Sequence, residues 1–81
     1  MTEDEARALF IRLLHGVAPE IDLDAIDTSG PIQDELNLDS MDFLNLLTAL
    51  HDATGMDVPE RDYPWLATVD GFVAYMAGTR P

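Results

Sequence analysis

The stretch "LDSMD", Leu38 to Asp42, sets one hydroxyl between two carboxylates at the mouth of an apolar helical pattern. Three chemistries suit a serine in that place. As a helix cap, Ser40 would satisfy free backbone amides, and both serine and aspartate are preferred for that role. As a nucleophile it would need a general base within hydrogen-bond reach. The histidines are His15, in a separate helical pattern, and His51, three turns further along the same one. A neighbouring Asp39 raises the cost of an alkoxide. The chain is therefore read as a non-enzyme with no catalytic residue. The third chemistry is modification by another protein. A helix N-terminus favours an attached phosphate through its free amides and dipole. Asp39 and Asp42 would repel that phosphate, yet they would attract a basic enzyme or a transferase's metal ion. Local sequence leaves the cap and the modified hydroxyl both open.

The elements that must position Ser40 are helical. The first helix is expected from about Glu3 to Val17, with Thr2 and Glu5 as a capping-box pair. Ala6, Leu9, Phe10, Leu13, Leu14 and Val17 recur at helical spacing, and Pro19 stops the run. From Pro19 to Asp39 runs a long connection, with "TSGP" in its middle as a turn signal. Structureless loops of that length are uncommon inside small domains, so Ile21, Leu23, Ile26, Ile32, Leu36 and Leu38 are expected to pack against the core. Pro31 is placed to open a single helical turn. The second long helix starts at Asp39 or Ser40 and ends near Thr54, with Gly55 as its stop. "ERDYPWL", Glu60 to Leu66, holds only a short or distorted helix because Pro64 removes a donor. A last helix opens with Thr68 as N-cap, buries Val69, Phe72, Val73 and Met76, and stops at Gly78. Nothing alternates like a strand. The expected fold is all-α, a bundle of three principal helices plus one short one, in a single domain over residues 1–81.

The helix after Ser40 carries more apolar residues than one face can bury. At about 100° per residue, Phe43, Leu46, Leu47 and Leu50 make the core face. Met41 and Leu44 fall on the opposite side, close to Ser40, where a partner could dock.

Composition narrows the partners. The chain has 81 residues, 47% of them hydrophobic and 25% charged, which is a globular balance. Sixteen acidic residues against four basic ones give a net charge of −12. Phosphate binding needs a basic surface, so nucleic acid is excluded, and anionic membrane with it. The natural complement is a basic patch on another protein. There is no cysteine, hence no disulfide, thiolate nucleophile or Cys-based metal site. Any working thiol must come from an attached group. "MTEDEARALF" lacks the basic and apolar regions of a signal peptide, and no apolar run approaches the roughly 18 residues of a membrane span. A cytoplasmic monomer is the expectation. "DLDAID" begins like a calcium loop, but Ile26 stands where a ligand is needed and no glycine follows in register. No metal site is assigned.

"LNLDSMDFLNLLTALH" resembles the attachment segment of the acyl carrier proteins and their peptidyl and aminoacyl relatives. These small acidic bundles carry a D-S-[LM] motif. The likeness extends to Leu36, to "ALHDATG" at the end of the second long helix, to the Val58-Pro59 step and to the closing "TVDGFVAYM". It spans essentially the whole chain in order. The resemblance implies that Ser40 receives a covalent 4′-phosphopantetheine arm from coenzyme A, whose thiol holds an acyl or aminoacyl group as a thioester. The partners it implies are a phosphopantetheinyl transferase, a loading ligase and downstream transferases with basic docking patches. Asp39 matches the motif aspartate. Met41, Asp42 and Leu44 match partner-facing positions, and Glu35 is added to them as a partner-binding candidate.

The chain departs from fatty-acid-synthesis carriers at several positions. Asn45 and His51 replace residues that are often acidic there, Phe43 is bulky near the base of the arm, and Pro64 and Trp65 are unusual in the short third helix. These point to a discrete carrier of a specialised acyl or aminoacyl group. The rival from another class is an unmodified acidic adaptor that binds an amphipathic partner through Met41 and Leu44.

Overall fold

Local capping chemistry sets the ends of the long helices. The computed structural model describes residues 1–78. Helix α1 runs Glu3–Val17. The Thr2 hydroxyl accepts from the Glu5 amide at 3.1 Å, while the Thr2 amide donates to Glu5 Oε1 at 2.9 Å. This is the expected capping box. Hydrogen bonding by Thr2, first from its backbone amide and then from its side chain, holds the Glu5 carboxyl below its ordinary pKa. Ala6, Phe10 and Leu14 form the buried stripe, one residue per turn, with Leu9, Leu13 and Val17 half-buried beside it.

The connection from Pro19 is tied down at several points. A single 3-10 turn, Leu23–Ala25, is capped by the Asp22 carboxylate. The short helix α2, Ile32–Glu35, begins directly after Pro31. Two backbone hydrogen bonds pin this segment to the far end of the chain. The Ile32 amide donates to the Ala67 carbonyl at 2.7 Å, and the Asp70 amide donates to the Thr28 carbonyl at 3.0 Å. Leu23, Ile32, Leu36 and Leu38 are buried, while Ile21 and Ile26 pack at the margin. Packing of this kind compensates for the conformational entropy of an irregular segment.

Helix α3 covers Ser40–Thr54 and stops at Gly55, whose φ of 74° is the left-handed conformation glycine tolerates. A 3-10 helix follows at Glu60–Leu66, the distortion expected around Pro64. Helix α4, Val69–Ala77, is capped by the Thr68 hydroxyl, which accepts from the Gly71 amide at 2.9 Å. A Cβ at Gly71 would run into the Trp65 carbonyl oxygen, so this glycine sets how closely α4 approaches the 3-10 helix. Tyr75 joins the expected buried set Val69, Phe72, Val73 and Met76. Its hydroxyl donates to Asp62 Oδ2 at 2.7 Å, which gives the ring's polar end a partner.

Among the described residues there is no strand, and no helix is long and apolar enough to cross a membrane. The fold is the expected all-α bundle: three long helices, one short 3-10 helix, and two single turns in the connection. Among the described residues the core is hydrophobic throughout, with Phe10, Phe72, Leu14, Leu46 and Leu50 among the side chains that are fully enclosed.

Candidate functional site

The approach to Ser40 is built by a reversal between α2 and α3. Asn37 takes φ 54°, the one non-glycine residue at positive φ among those described. The Leu38 amide donates to the Gln33 carbonyl at 2.8 Å, and the Asn37 amide to the Asp34 carbonyl at 3.3 Å. This pair of bonds is a Schellman closure of α2. Asparagine is the side chain other than glycine that best tolerates the left-handed conformation. Leu38, buried to 7% exposure, anchors the far side of the turn, so the next residue must emerge at the surface.

That residue is Asp39, and it takes the cap. Its backbone is extended and its Oδ1 accepts from the Asp42 amide at 2.8 Å. Ser40 is the first residue inside α3, which corrects the reading of Ser40 as the helix cap. An aspartate one residue earlier supplies the oxygen first. The serine hydroxyl is exposed and forms no hydrogen bond among the described residues. The Ser40 and Met41 amides also lack an acceptor there, as the first turn of a helix leaves them. The site therefore offers an unpartnered hydroxyl beside free amide donors. A phosphate ester on Ser40 fits that arrangement, with space outward and the helix dipole favouring its charge.

Asp42 lies half-exposed one turn from the cap. Met41 is 65% and Leu44 44% exposed, whereas Phe43, Leu46, Leu47 and Leu50 are buried. The division of α3 into two apolar faces is as the periodicity required. The structure therefore gathers Asp39, Ser40, Met41, Asp42 and Leu44 onto the first turns of one helix. Glu35 is oriented differently. Its Oε1 accepts from the Asp27 amide at 2.9 Å, so this carboxylate braces the connection. Asp27 in turn accepts from the Ser29 amide and hydroxyl, at 2.9 and 2.6 Å, and these bonds lower its pKa.

Two grooves open to solvent flank α3. One, of about 340 Å³, lies beside α2 and includes Pro31, Ile32, Phe43 and Tyr63. The other, of about 420 Å³, runs along α3 past Leu44, Leu47 and His51 to Met56, Val58 and Tyr63. At its end His51 Nδ1 meets Asp57 Oδ1 at 2.9 Å. Tyr63 belongs to both grooves, and sequence reasoning passed over it. Only its place beside Pro64 in a broken helical pattern could have drawn attention to it.

Residues 8–76 match the family model described as "Phosphopantetheine attachment site". The chain is 33% identical over 78 residues to the acyl carrier protein of Lactobacillus johnsonii, covering 94% of each sequence. It is 34% identical over 74 residues to the acyl carrier protein of Chlamydia muridarum, covering 91% of this chain and 90% of that one. With a match across nearly its whole length and a free serine at the head of α3, the chain belongs to the acyl carrier protein family, whose prosthetic group is a covalently attached 4′-phosphopantetheine.

Proposed function

We propose that Ser40 is the attachment point of the arm, and that the chain is a discrete carrier for a specialised acyl or aminoacyl group. The observation that supports this most directly is the division of labour at the head of α3. Asp39 performs the capping, which leaves the Ser40 hydroxyl exposed and without structural duty. Attachment replaces the serine O–H bond with a phosphodiester and releases the adenosine bisphosphate portion of coenzyme A. The hydroxyl proton must pass to a base on the transferase. His51 lies eleven residues along α3, about 16 Å at the helical rise, and is occupied with Asp57. The group, when bound, supplies a thiol that this cysteine-free chain lacks.

The chain would catalyse nothing itself and would act as one domain, a monomer in the cytoplasm. A phosphopantetheinyl transferase, a loading ligase and downstream transferases would meet it at Met41 and Leu44, the exposed apolar pair. Asp39 and Asp42 would draw their basic patches toward that end, since α3 contains no lysine or arginine of its own. Glu35 would contribute through its charge, with its carboxylate held in the connection.

The test is incubation with coenzyme A and a broad-specificity phosphopantetheinyl transferase, followed by intact mass. Wild type should gain one phosphopantetheinyl group, and Ser40→Ala none. A labelled Ser40→Ala chain, or a folded wild type that resists several transferases, overturns the assignment.

A further inference from the structure

The rings of the core form a continuous file that begins beside the candidate attachment helix. Tyr63, half-buried at the junction of the two grooves, meets Phe43 edge-on with centroids 5.9 Å apart. Phe43 meets Phe72 at 6.5 Å, and Phe72 meets Phe10 at 5.0 Å, both again edge-on. Phe43 lies three positions after Ser40, which makes the two neighbours on the surface of α3. Phe72 and Phe10 are fully enclosed. A route inward past Tyr63, the residue the two grooves share, thus meets a ring at each step, Phe43 first and then Phe72 and Phe10. Rings in edge-on contact are held more firmly than their buried area alone requires, and displacing them would open voids in a densely packed interior.

We infer that the Phe43–Tyr63 pair is a specificity determinant that closes the bundle interior to the tethered cargo. This rests on the reading of Ser40 as the attachment point. The cargo it selects is a short or polar acyl or aminoacyl group, able to remain in the open grooves, where Thr48, His51 and Asp57 provide a polar margin. A long alkyl chain finds no internal site and stays in solvent.

The experiment loads the full chain from acetyl-, butyryl- and octanoyl-coenzyme A with a broad-specificity transferase and confirms each single addition by mass. Melting temperature and the rate of thioester cleavage by hydroxylamine are then measured. A cargo that enters the fold stabilises it as any bound ligand does. Burial of several methylenes would register as a rise of roughly 5 °C or more in a domain this small. Wild type should melt within about 2 °C for all three cargos, with cleavage rates that do not fall as the chain lengthens. Phe43→Val, which removes the ring and keeps an apolar side chain, should convert the octanoyl form to one that melts higher and is cleaved several-fold more slowly. Tyr63→Ala, at a half-exposed position, provides a second opening if Phe43→Val does not fold.

An octanoyl chain that already stabilises or shields the wild type overturns the inference while leaving Ser40 as the attachment point. So does a folded Phe43→Val or Tyr63→Ala chain that gains nothing from octanoyl. A folded wild type that accepts no arm overturns the Ser40 reading and this inference together.

Discussion

Ser40 and Asp39 exchange the roles that composition alone would allow either to play. An N-cap must stand just outside the helix with an extended backbone, and Asp39 meets that condition with ψ 179°. Asp39→Ala should therefore cost about 1 kcal/mol, or roughly 4–8 °C in melting temperature. Ser40→Ala should change stability by less than about 0.5 kcal/mol, because it removes a hydroxyl with no partner. Thermal melts of the two variants side by side check the assignment, and a larger loss from Ser40→Ala would restore the serine as cap. Asn37 belongs to the same turn. Asn37→Val should lose about 1–2 kcal/mol by forcing a branched side chain into the left-handed region, while Asn37→Gly should be tolerated. Equal melts for the two would show that the turn relaxes.

Helix α3 serves the core with one face and the surface with the other. Leu46 and Leu50 are fully buried and Leu47 nearly so. Truncating any of them to alanine should cost roughly 2–5 kcal/mol through lost transfer energy and the cavity left behind. Met41→Gln and Leu44→Gln should shift stability by no more than about 0.5 kcal/mol. Both should slow loading by the cognate ligase, since a few central apolar contacts dominate most interfaces. Asp42→Asn should instead lower the association rate at low salt and matter little at high salt, as a steering charge does. Melts measured beside loading kinetics separate these effects. Unfolding by Met41→Gln or Leu44→Gln, or unchanged loading, would assign the partner surface elsewhere.

For the molecule as a whole, charge is the dominant long-range term. The net charge is −12 with both histidines neutral, and the one basic–acidic side-chain contact among the described residues, His51 with Asp57 at the surface, is ionic only when the histidine is protonated. Self-repulsion is thus little offset, and salt or millimolar magnesium should raise the melting temperature by screening it. A melting temperature flat across both titrations would count against that repulsion. Acid acts in two directions. Protonation of ordinary carboxylates relieves repulsion as pH falls from about 5 toward their ordinary range near 4. Glu5 and Asp27 have folded-state pKa values lowered by their hydrogen bonds. Their contribution is present above the unfolded carboxylate range and is lost as pH falls through the lowered values. The melting temperature should rise modestly on mild acidification and fall below about pH 4. A steady decline from pH 7 would show that native carboxylate contacts outweigh the repulsion.

What the sequence determined by itself is the part governed by neighbours three or four residues apart. Thr2 with Glu5, Thr68 with Gly71, and Gly55 fix helix ends through bonds that close within one turn. The split of α3 into a core face and the exposed Met41 and Leu44 follows from helical periodicity in the same way. The D-S-M motif within its helical context was likewise legible, and so was the family. Tertiary structure decided what depends on distant partners. The path of residues 19–39 is set by the Ile32–Ala67 and Thr28–Asp70 backbone bonds, which join segments dozens of residues apart. The inward turn of Glu35 toward Asp27, the burial of Tyr75 against Asp62, and the meeting of Tyr63 with Phe43 arise likewise. Each of these side chains is amphipathic enough to lie at a surface or in a core. Which it does depends on whether the fold brings a partner to its polar end or a ring to its face, and no local pattern encodes that.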